Sequence, residues 1–480
     1  MDAQTVRPYN LGFATPEQEN TSMSELDDML RAAGAPATQQ STAGTTMTAD
    51  TGNKPAATDD TAAARRPRPD KYLIAFYVAL CLISVVELYS ASSREVSSGN
   101  IFGPLLRHLM MLVFGIVICI GVSRVKLKYF VILTPWFVGV SILLMVYVLL
   151  NGQVINGAAR SMSLLGIQLQ PSEMLKMSAV LVIAYIMSRN QEPHGVTTKG
   201  VIWCCVFVCI FSLLLFSQGL TNTLLLMGIS LSMMLIGGIQ WKKFGLVLLF
   251  YGLAGGAALY HKMNEEVKDV TTITETGTDA QGNKATIGRQ GTWASRISRW
   301  NDSIPLYDQE ITAYNRQEMY AYMAQANGGV TGVLPGNSRE TARLPLAFSD
   351  YIYSIVVEDL GLVGGLFLLV VYLSLMGRAG VIASRCDRAF PSMLVMGMAV
   401  MIVFQALFHM AINTGVFPVS GQPLPMISKG GTSMLITSLA FGIMISISRY
   451  ASTAGRKKAA RTDTDLPAEL DAVNPMQLKK

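Results

Sequence analysis

The segment QPSEMLKMSAVLVIAYIM, residues 170–187, joins two charged side chains to an apolar run that is long enough to lie in a lipid bilayer. Glu173 and Lys176 are three residues apart, so both lie on one face of a helix. Charges at the edge of a bilayer are costly and usually serve function. The segment therefore predicts a membrane helix with a functional charge pair. A Glu–Lys pair that only fixes helix packing is the alternative.

Composition places the whole chain among membrane proteins. Of its 480 residues, 51% are hydrophobic and 15% are charged, whereas a soluble domain carries about a quarter charged residues. Counting about 20 apolar residues per crossing predicts an all-α polytopic membrane protein with ten transmembrane helices and a large extracytoplasmic loop before helix eight. The predicted spans are 72–92, 106–123, 129–150, 172–189, 200–217, 220–239, 243–260, 351–376, 391–412 and 431–448.

The basic residues predict the orientation of these spans. Lys and Arg cluster in alternate loops, including RRPRPDK before the first span, SRVKLK at 123–128 and the tail from Arg449. Because cytoplasmic loops are enriched in Lys and Arg, both termini are predicted to be cytoplasmic. The net charge of +6 comes largely from these loops, where lipid headgroups are the expected partners, and nucleic-acid binding is not indicated.

Polar segments define the predicted domain organisation. Residues 1–70 are predicted to be a disordered cytoplasmic tail without a cleavable signal peptide, with a short docking helix at 24–34. The membrane domain covers 71–450 and a cytoplasmic tail covers 451–480. Within the domain, 261–350 forms the large loop, whose first half is expected to be mobile and whose second half is expected to contain short helices, as in NRQEMYAYMAQANGG.

Several common kinds of site are not supported by the sequence. Five of the six cysteines lie in apolar segments without metal-ligand spacing, so we interpret them as small buried hydrophobic residues. The four histidines are scattered, and neither HExxH, CxxC nor a Ser-His-Asp order is present. A hydrolytic triad and a structural zinc site are therefore not indicated.

Two predicted outer stretches combine carboxylates and cations. INGAARSMSLLGIQLQPSEMLK, residues 155–176, is interpreted as a re-entrant loop entering span four. Its candidate site residues are Arg160, Gln170, Ser172, Glu173 and Lys176. LPLAFSDYIYSIVVEDLG, residues 344–361, contains Asp350 at the membrane face and Glu358 about two helical turns deeper. Asp350 is either functional or the N-cap of span eight. Glu358 is expected to need a partner such as Arg or Lys.

Two further stretches could contact an anion. VFPVSGQPLPMISKGGTSML, residues 416–435, breaks the membrane helices with Pro and Gly, which is tolerated where the backbone is buried in protein or lines a cavity. Its candidates are Ser428, Lys429, Gly430 and Gly431, which could present amides and a cation, and a purely structural loop is the alternative. GGVTGVLPGNSRETARLP, residues 328–345, lacks a nucleotide-binding spacing. Its Arg339 and Arg343 could meet phosphate, and a solvated loop is the alternative.

These stretches indicate one kind of ligand, a charged headgroup on a hydrocarbon tail. The tail would lie between spans, the cations would hold phosphates, and a carboxylate would do acid–base work.

Four stretches of the chain, three of them described above, resemble motifs of the SEDS (shape, elongation, division, sporulation) family and occur in the same order, over about residues 70–450. The stretches NGAARSMSLLGIQLQPSEMLK, SDYIYSIVVEDLG and PVSGQPLPMISKGGTSML are similar to that family's signatures, and LYSASS at 88–93 is similar to the end of its first span. The sequence matches the division branch of this family better than the elongation branch. The resemblance implies a peptidoglycan glycosyltransferase of the bacterial cytoplasmic membrane, acting at the division septum.

The resemblance also implies substrate, partners and residue roles. Lipid II would be polymerised onto an undecaprenyl-linked glycan, together with a single-span class B penicillin-binding protein and other divisome proteins. Asp350 matches the family's essential Asp and would act as general base on the attacking 4-hydroxyl. Arg160, Lys176 and a divalent cation, Mg or Mn, would neutralise the pyrophosphate, Glu173 would orient Lys176, and no organic cofactor is expected. Glu358 matches the first Glu of the family's GEELG motif.

Departures from the family pattern and two other functions remain open at this point. QGLTNT at 218–223 has no acid, Ser161 and Met162 replace a Trp, Lys429 replaces a Tyr, and no His flanks Asp350, which is preceded by Phe and Ser. A lipid II flippase would need a polar route to the inner side. A scaffold that activates the penicillin-binding protein without chemistry would tolerate substitution of the loop motifs.

Overall fold

A computed structural model describes residues 68–91, 102–151, 153–155, 158–164, 167–192, 195–216, 218–273, 297, 300, 308–311, 315–344, 348–429 and 431–464. Contacts place residues 66–480 in one compact unit. Residues 1–67 of the predicted tail, with the helix at 24–34, lie outside the described residues, as does most of the first half of the large loop.

Helices occupy every predicted span, and one further helix, α8, lies in the large loop. The bounds of these helices are α1 Lys71–Ala91, α2 Phe102–Ser123, α3 Leu127–Asn151, α4 Pro171–Arg189, α5 Thr198–Phe216, α6 Leu220–Ile236, α7 Trp241–Ile273, α8 Arg316–Gly328, α9 Ile352–Ser384, α10 Ala389–Asn413 and α11 Gly431–Thr464. Eight of them are long and apolar enough to cross a membrane by length and composition, and α6 is a shorter apolar helix. The helical membrane fold is thus confirmed, and the count of ten crossings stays a prediction.

Two helices are longer than their apolar runs. Helix α7 continues to Ile273 and α11 to Thr464, past the predicted ends at 260 and 448. An apolar run predicts where a helix is in hydrocarbon, but the backbone hydrogen bonds continue into polar sequence. In the large loop, α8 confirms the helix expected in NRQEMYAYMAQANGG.

Short strands replace the re-entrant loop that was expected before α4. Strands β1 (Gln153–Ile155), β2 (Ala158–Leu164) and β3 (Ile167–Leu169) form an antiparallel sheet in that order, with Met162 opposite Leu169. The two residues between β2 and β3 are the length of a hairpin turn. A second small hairpin joins α4 to α5, and its strands are β4 (Gln191–Glu192) and β5 (Gly195–Val196).

The charge pair Glu173–Lys176 lies on a central helix, α4. In the apolar windows of α4, α10 and α11, 78%, 72% and 83% of residues are buried, against 28% for both α2 and α3. Helix α4 packs against α3, α5, α6 and α10. Membrane helices keep ionisable groups toward the bundle interior because lipid cannot solvate them, and α4 follows this rule.

Hydrogen bonds of Asp70, the residue before α1, join α1 to α9 and α11. Asp70 accepts hydrogen bonds from the Arg378 guanidinium on α9, and its own amide donates to Ser448 Oγ on α11 at 3.0 Å. Burial alone would raise the pKa of Asp70, but the Arg378 hydrogen bonds and charge, with the amides of Leu73 and Tyr72, lower it below its usual value. The start of α1 is therefore tied to α9 and α11.

Helix α9 is interrupted at Gly361, where φ is 70° and ψ is −175°. A stretch of the large loop, residues 329–334, fills the break. Val333 N and Leu334 N donate to the carbonyls of Glu358 and Asp359, and Leu362 N donates to Gly329 O, at 2.9–3.0 Å. The backbone groups that the break would leave unpaired are thus satisfied by the loop, as burial at this depth requires.

Replacing Gly361 by alanine is expected to destabilise the protein. A Cβ there would lie 2.2 Å from Val330 O, and a positive φ costs a non-glycine residue about 1–3 kcal/mol. Thermal unfolding of the purified protein measures the loss. The matched control is Gly377→Ala in the same helix, where a Cβ meets nothing within 4 Å. Equal melting temperatures for the two variants would contradict this account of the break.

Candidate active site

Glu173 and Lys176 form the predicted pair on the first turns of α4. Lys176 Nζ lies 2.8 Å from Glu173 Oε1, and the two side chains are 0% and 4% exposed, respectively. Because a buried charge is tolerated only when it is paired and hydrogen-bonded, the two residues need each other. Nearby, Ser172 is buried and its hydroxyl has no hydrogen-bond partner among the described residues. The Gln170 amide donates to Thr432 Oγ1 at 3.0 Å, which links the start of α4 to α11.

The described residues of the segment between α10 and α11, residues 414–430, form non-helical backbone, as its prolines and glycines predict. Val416 and Phe417 are exposed, and the part from Ser420 onward is largely enclosed by protein. Leu424, Met426, Ile427 and Ser428 are all buried. Gln405 on α10 joins this segment to the charge pair, because its Nε2 lies 3.4 Å from Glu173 Oε1 and 3.3 Å from Pro423 O.

Asp350 also contacts the 414–430 segment, at Gly421. A Cβ on Gly421 would lie 3.0 Å from Asp350 Oδ2, and Asn413 Nδ2 donates to Asp350 O at 3.1 Å. Asp350 is half-buried and stands one residue before the N-cap position, which Tyr351 occupies. The alternative interpretation of Asp350 as the N-cap of this helix is therefore wrong.

Residues 348–350 are fixed by backbone contacts with the other end of the 414–430 segment. Ser428 Oγ donates to Ser349 O at 2.8 Å and accepts from Leu424 N at 2.7 Å. Lys429 N donates to Phe348 O at 2.8 Å, and Lys429 Nζ lies 4.1 Å from the centre of the Phe348 ring. The Ser428 hydroxyl is thus engaged within the protein. Gly431 begins α11, and Gly430 lies outside the described residues.

A buried polar cluster on α10, which the sequence interpretation passed over, supports this arrangement. His409 is 1% exposed, and its Nδ1 lies 2.6 Å from Gln422 O. Because a carbonyl only accepts, Nδ1 carries the proton, and Nε2 can accept from Asn413 Nδ2 at 3.2 Å. Gln422 Nε2 donates to Asn222 Oδ1 on α6 at 3.0 Å. Gln405, His409 and Asn413 recur every four residues on one helix face, a signal present in the sequence.

The large loop also reaches this site through α8. Gln325 Nε2 donates to Asn413 O at 2.7 Å, and Trp300 Nε1 donates to Gly415 O at 2.9 Å. A Cβ on Gly415 would lie 2.7 Å from the Tyr322 hydroxyl. Burial, with a smaller effect of Glu318, raises the pKa of Tyr322 to about 12, so this hydroxyl keeps its proton at neutral pH. The loop therefore holds the beginning of the 414–430 segment in place.

Glu358 belongs to a different set of contacts. It is completely buried, and it accepts hydrogen bonds from the Ser338 hydroxyl and from the amides of Arg339 and Glu340, the amides at 3.0 and 3.3 Å. The expected Arg or Lys partner is thus replaced by a hydroxyl and two backbone donors, which also stabilise a carboxylate. Glu358 anchors the large loop, whereas Asp350 contacts the 414–430 segment.

The remaining predicted residues are less closely tied to this centre. Arg343 is 62% exposed and pairs with Glu340 at 3.3 Å. Arg339 is exposed. Arg160 lies on β2, and its side chain is outside the described part of the structure. No group of three or more His, Cys, Asp or Glu side chains in the described residues is arranged to hold a metal ion. All six cysteines are free, three buried and three half-buried.

The fold and this site define a polytopic helical membrane protein with ionisable side chains among its central helices. Residues 71–453 match the model of the FtsW/RodA/SpoVE family, described as cell cycle protein. The chain belongs to that family.

Relatives in both main branches of the family are similar over nearly their full lengths. A probable peptidoglycan glycosyltransferase FtsW of Nitrosococcus halophilus is 30% identical, covering 81% of this chain and 95% of the relative. The peptidoglycan glycosyltransferase MrdB of Escherichia coli K12 is 24% identical, covering 79% and 93%. A solved structure of a peptidoglycan synthase complex that coordinates polymerization and crosslinking contains a chain of the same fold, with a TM-score of 0.59, 21% identity and coverage of 80% and 98%.

Proposed function

We propose that this protein is a peptidoglycan glycosyltransferase that polymerises lipid II at the outer face of the cytoplasmic membrane, for septal wall synthesis during division. The curated names of its relatives support the activity. One observation carries the placement of the reaction. Gly421, Gln422 and Pro423 are consecutive, Asp350 lies against the first, and Gln405 ties the last to Glu173. Asp350 and the charge pair are thus linked through three consecutive residues and one side chain, which supports their acting on one substrate.

The proposed reaction is an inverting glycosyl transfer. The 4-hydroxyl of one lipid II attacks the anomeric carbon of the undecaprenyl-linked glycan, the bond from that carbon to the pyrophosphate oxygen breaks, and undecaprenyl pyrophosphate leaves. Asp350 accepts the hydroxyl proton as general base. The contacts of residues 348–350 with the 414–430 segment support this role, because a base must be held within hydrogen-bond reach of its proton.

The leaving pyrophosphate requires positive charge. Lys176, oriented by Glu173, is proposed to supply it from beneath the segment, with Arg160 contributing from β2. A divalent cation, Mg or Mn, would add charge neutralisation. Mg²⁺ is often held by one carboxylate together with substrate phosphates. The described residues fit a divalent cation in this way alone, with Asp350 as the carboxylate.

Partner proteins are part of the proposal. The similar chain from a synthase complex supports pairing with a class B penicillin-binding protein, and the division branch of the relatives supports other divisome proteins. The exposed apolar side chains of the peripheral helices α2 and α3, such as Phe114 and Leu143, face lipid or the partner's single span.

Polymerisation of purified lipid II by this protein, co-purified with its cognate penicillin-binding protein, tests the function. Glycan chains are separated on a gel, with a transpeptidase-inactive partner so that only polymerisation is measured. Chain formation is expected. A folded, paired complex that makes no chains would overturn the proposal. Lipid II transport by that complex would then favour a flippase, and growth of cells carrying Asp350→Ala would favour a scaffold.

Asn413 is proposed as a positioning residue for Asp350. Asn413→Ala removes the donor to Asp350 O, and a displacement of about 1 Å can cost about 10²-fold in rate. We expect a fall of that size in kcat with little change in KM for lipid II. Thr414→Ala is the matched control, because within the described structure its hydroxyl bonds carbonyls of the preceding helix, those of Met410 and Ala411. Equal rates for the two variants would remove Asn413 from the proposed mechanism.

A further inference from the structure

Glu87 on α1 and Asp359 on α9 are two buried carboxylates outside the site described above. Both are 0% exposed. Neither oxygen of either side chain has a hydrogen-bond partner among the described residues. The two carboxylates interact electrostatically with each other. Unpaired polar groups at such depth are rare in native proteins and call for an explanation.

Their neighbour Glu358 shows how this fold stabilises a buried carboxylate with its own donors. Glu358 receives three of them, from Ser338, Arg339 and Glu340. Asp359, the next residue, receives none with normal geometry, although the Ser90 hydroxyl interacts with it. Ser90 Oγ itself accepts from Gly336 N at 3.1 Å. The described chain therefore supplies donors to Glu358 and leaves the carboxylate of Asp359, the next residue, with acceptor oxygens only.

The surroundings add negative charge. Among the described residues, the charges that act on the pair are carboxylates: Asp359 acts on Glu87, and Glu358 acts on Asp359. The first part of α9 ends at Gly361, directly after this position, and the carboxyl end of a helix carries partial negative charge. On α1, Ser84 lies one turn before Glu87 and is bonded to His108 Nε2 of α2 at 2.8 Å. None of these contacts gives the carboxylates a positive partner.

We propose that Glu87 and Asp359 bind a hard metal cation. Carboxylate oxygens are the preferred ligands of such ions, and a hydroxyl such as that of Ser90, main-chain carbonyls and water complete the coordination. The carbonyls of Glu358 and Asp359 at the break in α9 already accept from the large loop, so the two carboxylates are the main protein ligands of the proposed ion. The ion would join α1 to α9 beneath residues 329–336 of the large loop.

Binding is tested on the full chain in detergent without lipid substrate, so the outcome does not depend on the proposed reaction. The melting temperature is measured in NaCl, MgCl₂ or CaCl₂ against choline chloride at equal ionic strength. For the wild type, at least one metal salt is expected to raise the melting temperature by about 3 °C when the metal concentration is about 100 times its Kd. Glu87→Gln and Asp359→Asn should lose this rise. Glu192→Gln, which alters an exposed carboxylate, should keep it.

The wild-type comparison needs no variant, so the test stands even where a variant fails to fold. If no metal salt exceeds choline for wild type, the site does not bind a metal ion and the proposal is wrong. A rise that persists in Glu87→Gln would place the ion elsewhere and also overturn it. A wild type stabilised only by acid would show instead that protons neutralise the pair.

Discussion

Replacing Asp350 by asparagine is expected to lower the rate of lipid II polymerisation by about 10²–10⁴-fold, the usual contribution of a general base. The change is nearly isosteric. The contacts that fix residues 348–350 use the main-chain oxygens of Phe348, Ser349 and Asp350, so the fold should persist. The rate is measured with the penicillin-binding protein present, and the melting temperature is measured on the same sample.

The control for this experiment is Glu310→Gln, which alters an exposed carboxylate in the same large loop. It should retain the wild-type rate. If Asp350→Asn also polymerises at the wild-type rate, Asp350 is not the base, and another group must accept the proton. If Asp350→Asn loses its melting transition, Asp350→Glu provides the second test, since it keeps the carboxylate and should retain part of the activity.

Breaking the Glu173–Lys176 pair is expected to be the most destabilising change in the described structure. Removing one partner of a buried ion pair leaves an uncompensated charge and costs about 3–5 kcal/mol. Glu173→Gln and Lys176→Met should therefore each lower the melting temperature strongly. The double variant should recover much of the loss, because it buries no net charge.

Activity of the double variant separates structure from chemistry. If Lys176 neutralises the leaving pyrophosphate, the double variant is folded and inactive. If it is folded and active, the pair serves only to pack the helices, which is the structural alternative raised by the sequence. Equal stability of the two single variants and wild type would contradict the burial argument itself.

Much of this site follows from local sequence patterns. The spacing of Glu173 and Lys176 predicts a shared helix face, and their 2.8 Å contact confirms it. The prolines and glycines of 416–435 predict broken backbone, which the structure places between α10 and α11. These predictions succeed because the lipid environment restricts a chain to a few arrangements.

Other features depend on distant parts of the chain. No pattern near Glu358 shows that Ser338 would be its donor, or that residues 329–334 would fill the break in α9. Glu87 is a single acid in an apolar run, and only the packing of α1 against α9 lets it interact electrostatically with Asp359. The spacing of Gln405, His409 and Asn413 was available from sequence but is obscured by the surrounding apolar residues.

The break in α9 has a consequence for biogenesis. A membrane segment normally inserts with its backbone groups already satisfied within its own helix. Helix α9 cannot do so, because its groups near Gly361 are satisfied by residues 329–334. Those residues precede α9 in the chain, and in the predicted orientation they must cross the membrane first. In that orientation we expect α9 to leave the translocon incomplete and the large loop to complete it afterwards, so that docking of this loop becomes a late step in the maturation of the protein.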